Sequence, residues 1–270
     1  MTLYICPTPI GNLGDITYRV VETLKKVDAI ACEDTSHTRK LLSHYEIKNR
    51  LIHYDDHRGE EGLVEVMKLL RAGSEVALVS DAGMPLISDP GHGIIQACLE
   101  EGIPFEVLPG PTAFVNAWVN AAMTQSHFSF YGFPPRKQGA LMGFLASLKD
   151  RPEALIFYEA PHRLETTLKA LRDVLGERKI ALCRELTKKF EETIRTTTSG
   201  ALEWLEEGEV RGEFVIVVEG SSEEQLQERS LEEEILYYME LGMSKKDAVK
   251  IISKERNMPK REVYQASLDL

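Results

Sequence analysis

The chain has 270 residues, of which 43% are hydrophobic and 28% are charged. This composition excludes a disordered or fibrous protein, and the length is sufficient for a hydrophobic core without disulfide or metal support. The net charge of −11 argues against a nonspecific nucleic-acid coat protein, but it is compatible with an enzyme that uses a local basic patch.

The N-terminus and the cysteines indicate the cellular compartment. Residues 1–7 lack the basic region of a signal peptide, and no apolar run approaches the roughly 20 residues of a membrane span. The four cysteines (Cys6, Cys32, Cys98 and Cys183) show no paired spacing, and we interpret them as buried hydrophobic residues in a reducing compartment. The sequence therefore predicts a cytoplasmic protein.

Strands and helices alternate through the first part of the chain. The predicted strands are Leu3–Cys6, Asp28–Cys32, Glu75–Val79 and Phe105–Leu108. Asp15 and either Thr35 or Ser36 are predicted to cap the first two helices, and two more helices are predicted to begin at Glu61 and near His92. The segment Pro109-Gly110-Pro111 then marks a boundary, after which the alternation starts again.

The second part repeats the pattern. Strands are predicted at residues 128–132, 154–158, 180–183, 192–197 and 213–219, and helices at residues 112–123, 141–148 and 162–174. Such alternation is typical of largely parallel sheets covered by helices. The predicted fold class is α/β, with one α/β domain in residues 1–110 and a second in residues 111–221.

Residues 222–270 form a third predicted region with an uneven charge. Residues 222–240 carry seven acids and one base, whereas residues 243–264 carry seven bases and three acids. Ser244 and Pro259 are predicted to begin short helices, so this region resembles a small helix-turn-helix module. Its basic end is compatible either with a solvated helical tail or with a nucleic-acid contact.

Two Gly- and Pro-rich loops follow predicted strands, at residues 8–15 and 80–91. Ligands of α/β proteins bind beyond the carboxyl ends of strands, and glycines allow the backbone to approach a ligand closely. The first loop is neither a dinucleotide-binding nor a Walker A motif. In the second, backbone carbonyls and Asp81 favour a ligand with positive character; an ordinary capped turn is the alternative.

Two further clusters of charged residues follow strands of the second half, at residues 158–163 and 184–189. The sequence contains no metal-binding histidine spacing and no nucleophile elbow. The residues alone thus predict a two-lobed α/β enzyme with a cleft at its strand ends. They do not identify the reaction.

Seven segments in this order resemble the tetrapyrrole methylase family, in its branch that methylates ribosomal RNA. The segments are residues 7–17, 33–35, 81–91, 108–111, 159–164, 184–188 and 212–220. The resemblance implies two α/β domains with S-adenosylmethionine in the cleft between them. It further implies 2'-O-methylation of a cytidine in 16S rRNA of the small ribosomal subunit, and a homodimer.

The resemblance also implies site residues. The predicted contacts to S-adenosylmethionine are Pro9, Asp81, Ala82, Gly83, Met84, Ile87, Thr112, Ala113, Glu159 and Leu186. A ribose hydroxyl must lose its proton and be oriented for attack, so acids and bases near the cleft are candidates for catalysis. We predict Glu185 or Asp34 as the proton acceptor, and Lys188 or Arg163 as the group that holds a phosphate or the developing oxyanion. Arg39, Arg136 and Lys137, together with Arg163 and the basic tail, form the predicted RNA face.

Three alternatives follow from the same sequence. A tetrapyrrole C-methyltransferase of the same fold would need room for a polyanionic macrocycle. A non-catalytic module that binds the cofactor or RNA would not turn over. A nucleotide-dependent dehydrogenase is disfavoured because the chain lacks G-x-G-x-x-G.

Overall fold

The computed structural model describes residues 1–55, 61–206, 210–221, 230–240, 243–256 and 258–268. None of the helices in these ranges is both long and apolar enough to cross a membrane.

The first sheet has five parallel strands in the order β3-β2-β4-β1-β5. The strands are β1 (Thr2–Cys6), β2 (Ala29–Cys32), β3 (Leu51–His53), β4 (Glu75–Val79) and β5 (Phe105–Val107). The helices between them are α1 (Tyr18–Lys26), α2 (Thr35–His44), α3 (Glu61–Arg71) and α4 (His92–Glu101). Helices α1 and α2 pack on one face of the sheet, and α3 and α4 pack on the other. Helices on both faces are the expected cover of a parallel sheet.

The second sheet has the order β6-β7-β10-β8-β9. Its strands are β6 (Phe128–Phe130), β7 (Ala154–Glu159), β8 (Lys179–Arg184), β9 (Glu192–Thr197) and β10 (Phe214–Val218). The helices are α5 (Ala113–Ala121), α6 (Gln138–Ala146), α7 (Pro161–Leu175) and α8 (Thr198–Glu206). Helix α5 covers one face, and the other three helices cover the opposite face.

The prediction of largely parallel sheets is confirmed for the first sheet and wrong for the second. Only β6 and β7 pair in parallel there, and the other three pairings are antiparallel. The loop between β8 and β9 spans only residues 185–191, whereas a parallel connection needs a dozen residues or more. The loop length therefore forces these two strands to run in opposite directions.

Two predicted helix caps are also wrong. Asp15 ends a short 3-10 turn, and the side chain of Thr17 instead caps α1 by accepting a hydrogen bond from the N–H of Val20. Asp34, rather than Thr35 or Ser36, caps α2. All four cysteines are free and buried, as predicted.

Contacts divide the chain into two compact units, one of residues 1–149 with 153–219 and one of residues 150–152 with 220–270. The second unit contains α9 (Leu231–Glu240), α10 (Lys245–Glu255) and α11 (Lys260–Ala266). Its small core is formed by Ile235, Val249, Ile252 and Val263. The predicted domain boundaries at residues 110 and 221 stay predictions, and residues 222–229 lie outside the described ranges.

Candidate functional site

A cavity of about 420 Å³ lies where the strands of both sheets end, within the larger unit. Its volume is in the range of small-molecule sites, and apolar side chains supply most of its lining. Lining residues lie at or after the carboxyl ends of β1, β4, β5, β6, β7 and β8. Others lie just before β10 and in its first two residues. This position agrees with the general rule for ligand sites in α/β folds.

The two Gly- and Pro-rich loops are joined at the cavity. Thr8 and Gly83 each donate a backbone N–H to the other's carbonyl, at 2.9 and 3.0 Å. The buried hydroxyl of Thr8 donates to the carbonyl of Ser80 at 3.0 Å, and the hydroxyl of Ser80 donates to the carbonyl of Gly83 at 2.8 Å. The loops after β1 and β4 therefore form one wall.

Gly83 brings the backbone of this wall close to its neighbours. Its φ of +85° lies in the left-handed region that glycine adopts without steric cost. A Cβ at this position would lie 3.2 Å from the side chain of Ile10 and 3.6 Å from the carbonyl of Pro111. A larger side chain would narrow the cavity from this side.

Backbone strain is concentrated in two loops that line the cavity. Six described non-glycine residues have a positive φ, and four of them (Leu86, Ser88, Glu185 and Thr187) belong to these loops. Such conformations cost of order 1–3 kcal/mol each and persist where the surroundings fix them, which is common at functional sites.

Asp89 is the titratable group whose environment most clearly suits proton transfer. It lines the cavity from the loop after β4. Burial raises the pKa of Asp89 to about 7, and the nearby charges of Glu33 and Asp81 add to the rise. A general base works best when its pKa lies near the operating pH.

Tyr158 lines the cavity beside Asp89. Burial raises the pKa of Tyr158 to about 12; the backbone N–H of Phe114 opposes the rise, and the carboxylate of Asp89 adds to it. The phenol is therefore neutral at physiological pH and can take part in hydrogen bonds inside the cavity.

An ionic cluster closes the side of the cavity formed by the second sheet. The Nζ of Lys188 lies 2.8 Å from Oε1 of Glu185 and 3.0 Å from Oε2 of Glu213. Burial opposes ionisation of both Glu185 and Lys188. Their mutual hydrogen bond, together with contacts to Glu213, outweighs this effect of burial. The pKa of Glu185 is therefore lowered, and the pKa of Lys188 is raised. Both groups are thus charged at neutral pH.

Glu159 and Arg163 form a second, largely buried pair. Glu159 accepts hydrogen bonds from the hydroxyl of Thr167 at 2.5 Å and from the N–H of Ala160 at 2.9 Å. The guanidinium of Arg163 lies 3.5 Å from Glu159 and donates to the carbonyls of Pro134 and Pro135 at 3.0 Å each. Arg163 therefore braces a loop.

Most of the predicted site residues line this one cavity. They are Ala82, Gly83, Met84, Ile87, Thr112, Ala113, Glu159, Glu185, Leu186 and Lys188. The predicted residues that are not part of the lining are Pro9, Asp34, Asp81 and Arg163. Asp34 instead accepts hydrogen bonds from the N–H groups of Ser36 and His37, which lower its pKa.

Sequence reasoning did not select Asp89, Phe133, Tyr158 or Cys183, all of which line the cavity. Asp89 stood inside the loop that the sequence singled out, but its raised pKa depends on burial and on the charge of Glu33, which the fold brings near. Cys183 is on a strand with an apolar pattern, and nothing in its spacing distinguishes it from a core residue.

A protein-family model matches most of the chain. The family model described as Tetrapyrrole (Corrin/Porphyrin) Methylases matches residues 2–203. The chain belongs to the tetrapyrrole methylase family. The match ends before the helical unit of residues 220–270.

Two curated relatives resemble the chain over nearly its full length. A protein of Bacillus subtilis (strain 168), named ribosomal RNA small subunit methyltransferase I, is 45% identical across 98% of this chain and 93% of the relative. A protein of the same name from Synechocystis sp. is 42% identical across 99% of this chain and 98% of the relative.

Solved structures of tetrapyrrole methylases share the fold. Uroporphyrin III C-methyl transferase from Thermus thermophilus has a TM-score of 0.58 at 17% identity, covering 81% of this chain and 97% of its own. A cobalamin biosynthetic enzyme, cobalt precorrin-4 methyltransferase, has a TM-score of 0.60 at 17% identity, and the match covers 81% of this chain and 94% of that enzyme. At this identity the likeness establishes the architecture of two α/β lobes.

Proposed function

We propose that the chain is an S-adenosylmethionine-dependent methyltransferase of small-subunit ribosomal RNA, and that its product is a 2'-O-methylated cytidine in 16S rRNA. The observation that carries the proposal is the 45% identity, across 98% of the chain, to a protein named for methylation of that RNA. The two solved tetrapyrrole methylases described above are much more distant, at 17% identity.

The cavity fits the methyl donor. Its lining is mainly apolar, the backbone around Gly83 leaves room for close contact, and the carboxylates of Asp89, Glu185 and Glu213 suit a ligand with a positive centre. The residues that would hold the donor are Ala82, Gly83, Met84, Ile87, Thr112, Ala113, Glu159 and Leu186. Pro9 and Asp81 are not part of the lining, but each adjoins a lining residue in the joined loops. When bound, S-adenosylmethionine supplies a methyl group carried on a sulfonium.

Asp89 is the residue that we assign as the proton acceptor, because it lines the cavity and burial raises its pKa. With a pKa near 7, its carboxylate is substantially ionised at neutral pH and still basic enough to take the proton of a ribose hydroxyl. Glu185 is hydrogen-bonded to Lys188 and has a lowered pKa, so it is a weaker base. Asp34 is occupied as a helix cap.

Lys188 provides the positive charge beside the reacting hydroxyl. Glu185 and Glu213 hold its ammonium group at the cavity wall, where it can orient a phosphate or stabilise the negative charge that develops on the ribose oxygen. Arg163 contributes indirectly by bracing the loop at Pro134 and Pro135.

We also propose a homodimer that acts in the cytoplasm, where small ribosomal subunits are its substrate. In this proposal residues 1–110 and 111–221 form the two α/β domains, and residues 222–270 form an RNA-binding module. The exposed cations of α10 and α11 support the last assignment.

Methyl transfer to isolated subunits tests the proposal. Purified protein is incubated with methyl-labelled S-adenosylmethionine and small ribosomal subunits from cells that lack the enzyme, or with a uroporphyrin III-type tetrapyrrole. We expect label in the RNA only. Label in the tetrapyrrole would support the C-methyltransferase alternative, and binding of the donor without transfer to either would support a non-catalytic module.

A further inference from the structure

Phe133 is a large aromatic side chain held at the opening of the cavity. It contributes to the lining, yet 57% of the residue is exposed to solvent. What distinguishes Phe133 from other exposed apolar residues is its place in the cavity lining, where the exposed ring can contact a ligand. The proposed mechanism gives this ring no task.

The ring is fixed in place by its surroundings. It packs edge-on against Tyr158, with centroids 5.5 Å apart and an interplanar angle of 62°. The next two residues, Pro134 and Pro135, are tied to Arg163 through their carbonyls, and Arg163 is paired with the buried Glu159. A ligand that stacks on Phe133 therefore meets a surface that needs little further ordering.

Two cations follow the ring along the chain. Arg136 and Lys137 are both exposed, and neither forms an ion pair within the ranges that the structure describes. An exposed aromatic ring followed by unpaired cations is the combination with which proteins bind single-stranded nucleic acid, because the ring stacks on a base and the cations contact phosphates.

We propose that Phe133 is the stacking platform for the nucleobase of the target nucleotide, and that Arg136 and Lys137 contact the adjacent phosphates. The inference rests on the proposed function and extends it to the substrate base. A base stacked at the cavity opening would place its own ribose toward Tyr158 and Asp89, which line the interior. The face of the platform is sequence-tolerant, so recognition of cytosine requires further groups.

Substitutions at residue 133 test the platform in the methyl-transfer reaction. Phe133→Ala should lower kcat/KM for small subunits by roughly 10- to 100-fold, the usual effect of losing one stacked base. The dissociation constant of S-adenosylmethionine should stay unchanged. Phe133→Trp should keep most of the activity, whereas Phe133→Leu, which restores apolar bulk without a π face, should not.

Phe190→Ala is the matched control, because Phe190 is 68% exposed and does not line the cavity. Equal losses for both alanine variants would overturn the assignment of a platform at the cavity. Full activity of Phe133→Leu would overturn it as well, since only the apolar bulk of the side chain would then matter. Weakened donor binding by Phe133→Ala would also overturn it, since the ring would then be part of the donor site.

A binding readout separates this inference from the proposed function. The fluorescence of Phe133→Trp, corrected for wild-type emission from Trp118 and Trp204, is titrated with a cytidine pentanucleotide RNA. We expect saturable quenching by the RNA and none by S-adenosylmethionine alone. Absence of RNA quenching, or quenching by the donor alone, would overturn the platform even if the wild-type protein methylates subunits. Failure of wild-type methylation would instead count against the proposed function.

Discussion

Thr8 and Gly83 exchange two backbone hydrogen bonds and thereby join the loops that follow β1 and β4. This antiparallel bridge lies beyond the carboxyl ends of two parallel strands. Here it fixes Ala82, Gly83 and Met84 along one wall of the cavity. The wall that we assign to the methyl donor is thus held by backbone hydrogen bonds, together with those that the hydroxyls of Thr8 and Ser80 donate.

Gly83→Ala should weaken binding of S-adenosylmethionine by at least about tenfold, or ~1.4 kcal/mol. The added methyl group would lie 3.2 Å from Ile10, and the φ of +85° strains any side chain. Gly73→Ala is the control, because Gly73 has a φ of +94° but nothing within 4 Å of the added carbon. Calorimetric titration with the donor measures both.

Both variants should lose roughly 1–2 kcal/mol of stability because both place alanine in the left-handed region, and the contact with Ile10 should add to the loss for Gly83→Ala. Thermal unfolding checks this. Equal donor affinities for the two variants would show that the wall around Gly83 does not contact the donor.

Asp89→Asn should lower the single-turnover rate of methylation by ~100-fold at pH 8, the usual scale of general-base catalysis. In the wild type the deprotonated carboxylate is the active form. The rate should therefore rise with pH and level off above the pKa of about 7. The variant should lose this inflection.

Folding provides the control for Asp89→Asn. The folded-state pKa of Asp89 is raised above that of the unfolded chain, so its contribution to stability falls as pH rises from about 4 to about 7. At pH 8 the wild type carries the buried charge and the variant does not. The variant should be at least as stable there, and a less stable variant would mean that its lost activity reflects misfolding.

Glu33→Gln should move the inflection of the wild-type rate profile to lower pH. The charge of Glu33 adds to the effect of burial in raising the pKa of Asp89, and the substitution removes that charge. A profile from pH 5.5 to 8.5 measures the shift. An unchanged inflection would argue that another group controls the rate.

Lys188→Met should lower the methylation rate by roughly 10- to 100-fold with little change in donor affinity, because the ammonium group acts on the RNA side. The substitution also removes the ammonium group with which the carboxylates of Glu185 and Glu213 both pair. Lys188→Arg should restore part of the rate. Lys189→Met is the control, since Lys189 is exposed and does not line the cavity. Similar losses at both positions would indicate a general charge effect.

Replacing Lys246, Lys250 and Arg261 together by Gln should weaken RNA binding and leave donor affinity unchanged. These side chains are exposed on α10 and α11. Each lost phosphate contact should reduce the slope of log affinity against log salt concentration by ~0.7. A triple replacement of Lys25, Lys26 and Lys68, exposed on α1 and α3, changes the net charge equally. An identical slope for the two triple variants would contradict an RNA-binding role for the helical module.

The sequence allowed prediction of most strands and helices, because apolar runs and turn residues are local signals. The strand β10 is an example, since its continuous apolar run predicted burial on both faces and all five residues are buried. The direction of pairing is not a local property, and the antiparallel arrangement of the second sheet was missed. Strand β3, with three residues, was too short to give a pattern.

The candidate site was predictable to the extent that its residues lie in loops of unusual composition. Ten of the predicted residues line one cavity, although their contacts with ligands stay predictions. Asp89 was missed because its distinguishing property, a raised pKa, arises first from burial and then from the charges of Glu33 and Asp81. Burial and the nearness of Glu33 depend on the fold, although Asp81 belongs to the same loop. The predicted role of Arg163, to hold a phosphate or the developing oxyanion, stays a prediction. Its hydrogen bonds to Pro134 and Pro135 depend on the fold and could not be inferred from spacing.

Identification of the methylated nucleoside tests the central claim most directly. Small subunits from cells that lack the enzyme are treated with the protein and S-adenosylmethionine, and the 16S rRNA is digested to nucleosides for mass spectrometry. The account predicts one new product, 2'-O-methylcytidine, whose methyl group stays with the ribose on fragmentation. A methyl group on the base, or on a nucleoside other than cytidine, would contradict it.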